Sequence, residues 1–148
     1  MRLRNAVTVL AATAALVATT GAPAGAGVIR TYTNVATGLC IDSNARGQAY
    51  VSRCNGGNFQ KWDVTGTDSS TVLRNVATGL CLDSNARRAV YTLGCNGGNF
   101  QKWTVTRFGD GSVVRFRNVA TGLCLDNNTE FQAYTLSCNA GNFQKWRR

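Results

Sequence analysis

From residue 28 onward the chain is a succession of short apolar runs broken by polar turns, with no window that keeps a helical period long enough to matter. Three segments, VIRTYT at 28–33, STVLR at 70–74 and SVVRFR at 112–117, read as extended strands. Each leads into NVATG, a turn ending at Gly38, Gly79 or Gly122, where a positive φ costs little. LCID or LCLD follows as a short strand, SNAR or NNTE as a polar loop, and AYVSRC, VYTLGC or AYTLSC as the next strand. A second glycine-bearing turn, NGG or NAG, enters the strand that carries Trp62, Trp103 or Trp146. The pattern predicts an all-β chain with about four short strands per unit and about twelve in total.

These units are copies of one another. NVATGLC begins at 34, 75 and 118, and aligning 34–62, 75–103 and 118–146 leaves 18 of 29 positions identical in all three. CNGGNFQKW occurs at 54–62 and 95–103 and returns as CNAGNFQKW at 138–146. A unit of about forty residues cannot bury its own apolar face, whereas three can share one core. With no atypical terminal copy to cap an open stack, the repeats are expected to close around a common axis, which also removes exposed strand edges. Their expected spans are about 28–66, 67–109 and 110–148.

The first 26 residues stand outside this pattern. Arg2 and Arg4 precede an apolar run over about 6–18, and Ala24 and Ala26 form an A-x-A cleavage pattern. This predicts a secretory signal over 1–26, a secreted domain over 27–148 and no membrane span, the run being too short for one. Export changes the meaning of the six cysteines, Cys40, Cys54, Cys81, Cys95, Cys124 and Cys138, which lie in pairs 14 residues apart. Six cysteines permit 15 pairings, and a bridge inside each repeat treats the copies alike. Each bridge would close a loop of about 15 residues and stabilise the fold by about 3 kcal/mol. A zinc site fits poorly, since the chain has no histidine and no closely spaced cysteine pair.

Beyond residue 26 there are 14 Lys and Arg against seven acids, a formal charge of +7. The basic residues are scattered, with only Arg87-Arg88 and Arg147-Arg148 adjacent, which suits a solvated surface better than a nucleic-acid track.

Three repeats of about forty residues, each with CID or CLD and ending in Gln60-Lys61-Trp62, Gln101-Lys102-Trp103 or Gln144-Lys145-Trp146, resemble the ricin B-chain-type lectin domain. The resemblance covers essentially all of 28–148 and implies a β-trefoil of three pseudo-symmetric repeats. It implies a buried Trp, a Gln bracing the turn, an intra-repeat disulfide, and one shallow site per repeat for galactose-type or related sugars. The family's sugar-binding Asp maps to Asp42, Asp83 and Asp126, where an exposed carboxylate would accept charge-assisted bonds from hydroxyls. The alternative is that each Asp only caps its own loop.

The chain also departs from that family. Ser52, Leu93 and Leu136 stand where many members have an aromatic platform, and Phe59, Phe100 and Phe143 stand where members often have Asn. The Asn falls one place earlier, at Asn58, Asn99 and Asn142, and the aromatic two places earlier, at Tyr50, Tyr91 and Tyr134. Those tyrosines either face outward and replace the platform or, after a one-residue slip, pack in the core. The candidate sugar-binding residues are therefore Asp42, Tyr50, Asn58 and Gln60, with Asp83, Tyr91, Asn99 and Gln101, and Asp126, Tyr134, Asn142 and Gln144 in the other repeats. Repeat 3, with Asn127, Glu130, Phe131 and Ala140, is expected to bind differently or weakly.

No catalytic constellation is legible. A histidine base is missing, the cysteines are committed to bridges, and the three equivalent Asp lie in different repeats, too far apart for a glycosidase carboxylate pair. The sequence therefore predicts a monomeric, secreted, non-enzymatic carbohydrate-binding protein with no cofactor, no metal and no nucleic-acid partner. The alternatives are a protein-binding or inhibitor module, and charge-driven binding of acidic polymers.

Overall fold

The computed structural model describes residues 27–148, so the signal segment expected at 1–26 lies outside the described residues. Thirteen strands run in chain order: β1 (Val28–Arg30), β2 (Thr33–Asn34), β3 (Cys40–Ser43), β4 (Ala49–Ser52), β5 (Trp62–Thr67), β6 (Ser70–Asn75), β7 (Cys81–Ser84), β8 (Val90–Leu93), β9 (Trp103–Phe108), β10 (Val113–Asn118), β11 (Cys124–Asn127), β12 (Ala133–Leu136) and β13 (Trp146–Arg147). The thirteenth arises because the opening segment, expected as one strand, breaks at Thr31–Tyr32. There Tyr32 turns into the core and meets Phe116 edge-on, ring centroids 4.9 Å apart. Among the described residues there is no α-helix, hence none long and apolar enough to cross a membrane.

The antiparallel neighbours β1, β5, β6, β9, β10, β13 and β2 form a ring, closed because β1 and β2 are successive pieces of one segment. Three hairpins, β3–β4, β7–β8 and β11–β12, branch from it and meet one another through bridges at Gln48–Tyr91, Ala89–Tyr134 and Tyr50–Gln132. This is a β-trefoil with three pseudo-equivalent repeats.

The two-residue period of a strand sets what each hairpin buries. Ile41 opposes Val51, Leu82 opposes Thr92 and Leu125 opposes Thr135, and all six are buried. Fully buried Trp62, Trp103 and Trp146 complete this core, each indole Nε1 donating to the carbonyl of Ile41, Leu82 or Leu125 at 3.3, 3.1 and 3.4 Å.

The repeats lock to one another through the NVATG turn. Asn34, Asn75 and Asn118 are buried; each Nδ2 donates to the carbonyl of a Phe in another repeat, Phe143 at 2.8 Å, Phe59 at 2.7 Å and Phe100 at 2.7 Å. Each Oδ1 accepts backbone N–H groups of its own turn, as Asn75 does from Ala77 and Thr78. Gly38, Gly79 and Gly122 close these turns at φ of 70°, 71° and 71°, the left-handed region expected of them. Disulfides join Cys40 to Cys54, Cys81 to Cys95 and Cys124 to Cys138, one within each repeat.

Two tests follow from the core. Thr92 and Thr135 keep hydroxyls buried without a protein partner where repeat 1 has Val51. Thr92→Val with Thr135→Val is expected to raise stability by about 1–2 kcal/mol in urea unfolding. Burial pushes the Tyr32 phenol up to about 12, against the opposing pull of nearby arginines, and burial also raises Tyr50, Tyr91 and Tyr134. A raised folded value means the stabilisation is complete below about pH 10 and is lost as pH climbs towards 12. The tyrosine contribution to unfolding free energy should therefore be constant below about pH 10 and fall above it, in step with phenolate absorbance at 295 nm.

Candidate functional site

Opposite Asp42 on β3 stands Tyr50 on β4, and Asp83–Tyr91 and Asp126–Tyr134 pair in the same way. Directly opposed residues project from one face of a hairpin, so each carboxylate and each ring share the side facing away from the apolar pairs. A 3₁₀ turn, Asn58–Gln60, Asn99–Gln101 or Asn142–Gln144, then brings the following segment beneath that face. The strand-and-turn pattern did not foresee this turn. It matters because in one tight turn it sends the Gln inward and the preceding Phe outward.

Gln60, Gln101 and Gln144 are buried. Each Nε2 donates to the Asp Oδ2, at 2.8, 2.9 and 2.9 Å, and to the carbonyl of Arg53, Gly94 or Ser137. Each Oε1 accepts the backbone N–H of Asn55, Asn96 or Asn139. The Asp residues, expected to be exposed, are only 3–5% accessible. They do not cap the polar loop either, since Asn44, Asn85 and Asn128 do so by accepting backbone N–H groups two and four residues on.

Asp83, Tyr91, Leu93, Asn96 and Phe100 line a pocket of about 250 Å³, and Asp126, Tyr134, Leu136, Asn139 and Phe143 line its counterpart of about 410 Å³. Tyr91 and Tyr134 are half-buried with their rings on these walls, and Tyr50 is half-buried opposite Asp42, so the outward register holds and the slip into the core did not occur. Their hydroxyls donate to the carbonyls of Ser43, Ser84 and Asn127 at 3.4, 3.3 and 3.1 Å. Burial, reinforced by the neighbouring Asp, raises the phenols, so they remain neutral at physiological pH.

Asn58, Asn99 and Asn142 are exposed and start the 3₁₀ turns; Asn99 and Asn142 do not line the two pockets, where Asn96 and Asn139 stand instead. The wall that residue reading missed is aromatic: Phe59, Phe100 and Phe143 are 43–46% exposed. The signal was present in the sequence, as an aromatic fixed in a glycine-rich turn just before a Gln that points the other way.

The repeats are not chemically equal. Asp42 Oδ1 accepts the Ser43 N–H at 2.8 Å, and its Oδ2 accepts the Ser52 hydroxyl at 2.6 Å as well as Gln60. Asp126 Oδ1 accepts the Asn127 N–H at 2.7 Å. Asp83 Oδ1, by contrast, is buried with no protein donor, and Leu93 stands where repeat 1 has Ser52. In repeat 3 Asn127 replaces Ser43 and Ser84, donating to the Phe143 carbonyl at 3.1 Å and accepting from Thr37 at 3.0 Å. Among the described residues no group of His, Cys, Asp and Glu is arranged to hold a metal ion.

The model of the ricin-type β-trefoil lectin domain matches residues 28–146. The chain belongs to this family. No curated protein matches the sequence. Among solved structures, this lectin domain is similar to ThreeFoil, a designed threefold-symmetric protein, at 24% identity and TM-score 0.72, over 80% of this chain and 96% of that one. It is similar to SeviL, solved with asialo-GM1 saccharide, at 15% identity and TM-score 0.68, over 82% and 95%. It also resembles an exo-β-1,3-galactanase from Clostridium thermocellum at 21% identity and TM-score 0.70, covering 84% of this chain but 30% of the enzyme. At these identities the likeness is one of fold.

Removing the carboxamide of Gln101 would strip Asp83 of its Gln donor and leave the Asn96 N–H without an acceptor. Gln101→Ala is expected to destabilise the domain by about 3 kcal/mol, measured as a lower urea midpoint, with the oxidised disulfides retained.

Proposed function

We propose that this is a secreted, non-enzymatic lectin that binds neutral, galactose-type or related sugars weakly in its lateral pockets and gains avidity on polysaccharides or cell-surface glycans. The observation that carries the proposal is the pocket of repeat 2. A carboxylate oxygen without a protein donor, a tyrosine ring held by its own hydrogen bond and an exposed phenylalanine converge there. A pyranose has the matching parts: hydroxyls that donate charge-assisted bonds to a carboxylate, and an apolar C–H face that packs on aromatic rings. Phe100 thus takes the platform role that the residue two places before the second Cys has in many members, and this change of platform position favours a sugar range shifted from the family's usual one.

The repeats should rank. In repeat 2 the Asp83 Oδ1 has no protein donor but is buried, so a sugar hydroxyl reaches it only when the pocket wall yields, whereas in repeat 1 Ser52 and Gln60 already engage Asp42. Several weak sites on one rigid barrel can raise apparent affinity by a factor of roughly 10²–10⁴ on a repeating ligand when geometry lets them engage together. The formal charge of +7 beyond residue 26 adds attraction to anionic surfaces without supplying sugar specificity.

A glycan and polysaccharide array probed at two salt concentrations tests the reading. Binding to a defined neutral sugar should survive the change in salt, and the Phe59→Ala, Phe100→Ala, Phe143→Ala triple variant should fold but bind at least about tenfold more weakly. Unchanged binding by that variant would remove the aromatic platform. Binding confined to acidic glycans and lost steeply with salt would replace the lectin reading with charge-driven association.

A further inference from the structure

Where the three hairpins meet, the fold leaves a further concavity of about 640 Å³ that the lateral pockets do not include. Its walls are Tyr50, Tyr91 and Tyr134, one from each repeat, with Phe131, Gln48 and Gln132; the carboxamide oxygens of the two glutamines accept Asn44 and Asn128 Nδ2 at 2.7 and 2.8 Å. Tyr91 and Tyr134 line a lateral pocket as well, so each of these rings is a partition with a cavity on either side. The hydroxyl bonds to Ser43, Ser84 and Asn127 hold the rings in place before any ligand arrives.

Two features mark this cavity as more than a seam between hairpins. The first is its charge. Among the described residues no acidic or basic side chain lines it, although the chain carries 16 Lys and Arg and seven acids. An anion would find no counter-charge there, nor would a cation. Aromatic faces bordered by amides suit a neutral ligand that is apolar on one side and hydroxylated on the other.

The second is Phe131. It holds φ of 64°, in the left-handed region that the same loop position takes in the other repeats, as Gly47 at 79° and Arg88 at 69°. A side chain there costs about 1–2 kcal/mol, yet Phe131 is 49% exposed and stands outside the buried core. The loop imposes this φ on Arg88 as well, which does not line the cavity, so what sets Phe131 apart is an exposed aromatic ring placed in the cavity wall.

We infer that this axial cavity is a carbohydrate site additional to the lateral ones, taking one neutral pyranose of a glycan chain with its C–H face on the aromatic rings and its hydroxyls on Gln48 and Gln132. Phe131 occurs in one repeat only, so the three rotationally related poses are unequal and one sugar binds off the axis. The shared tyrosines let a single chain continue from the axial site to a lateral one. The inference rests on the carbohydrate reading for its ligand class and on the axial residues for its location.

The test is an ¹⁵N NMR titration of the oxidised protein with neutral tetrasaccharides of the galactan, xylan, cellulose, mannan and chitin series. At least one should shift the amides of Gln48, Ala89 and Gln132, in addition to lateral Asn96 and Asn139. Phe131→Gly relieves the backbone strain, so it should keep or raise the melting temperature while weakening the axial shifts at least about fivefold. The lateral Phe→Ala triple variant should do the reverse, losing lateral shifts and keeping axial ones. Lateral shifts without axial ones for every tetrasaccharide, or axial affinity unchanged in Phe131→Gly, would overturn the axial site and leave the lateral reading standing. Axial shifts with silent lateral amides would overturn the lateral reading alone, and silence at both would overturn both.

Discussion

Inside each repeat a buried glutamine carboxamide uses both of its ends at once. Its nitrogen holds the Asp on one hairpin strand and a carbonyl beyond the other, while its oxygen holds the N–H that opens the glycine-rich turn. Both hairpin strands and the glycine-rich turn therefore meet at one group, and none can shift without exposing an unpaired buried donor, acceptor or charge. The rest of the repeat takes its place from this clamp. Trp follows two residues later and is driven into the core, whereas Phe precedes by one and is left outside. The disulfide fixes the same loop from its other side.

A second clamp acts between repeats and gives the molecule its closed form. The asparagine that opens NVATG reaches the carbonyl of a Phe in another copy, repeat 2 gripping repeat 1, repeat 3 gripping repeat 2, and repeat 1 gripping repeat 3. Backbone bonds from Val35, Val76 and Val119 to Lys145, Lys61 and Lys102 follow the same circuit. Much of the identity among the copies sits in NVATG and CNGGNFQKW, the two motifs that interlock. That identity is a requirement of closure, and by itself carries no information about ligands. The polar loops are free of this constraint, and there the copies differ in Arg46 and Gly47, Arg87 and Arg88, and Glu130 and Phe131.

This division explains how one scaffold can hold unequal sites. The Asp, Tyr and Phe that line the pockets of repeats 2 and 3 are placed by the two clamps, and the same residue types stand at the equivalent positions of repeat 1. What varies is the residue that competes for the carboxylate, Ser52 against Leu93 and Leu136, and the residue at the left-handed loop position. Single side chains at those points alter hydrogen-bonding capacity or cavity walls without disturbing closure.

The repeat count, the strand-and-turn order, the closed all-β form and the disulfide pairing were legible in the sequence, because each rests on local spacing or on symmetry among the copies. The break at Tyr32 and the 3₁₀ turn were not, since both depend on which side chain finds room in a core assembled from all three repeats. The same holds for the site. Asp42, Asp83 and Asp126 could be singled out by their place in the motif, but their burial and their bonds to Gln come from contacts 18 residues along the chain. The register of Tyr50, Tyr91 and Tyr134 was ambiguous by one residue, and strand pairing resolved it by setting each opposite an Asp. Phe59, Phe100 and Phe143 read as a departure from a family pattern until the turn showed them facing outward. Local sequence determined which residues are available, while closure of three repeats around one axis decided which of them share a surface, because a pocket is a relation among segments that only packing brings together.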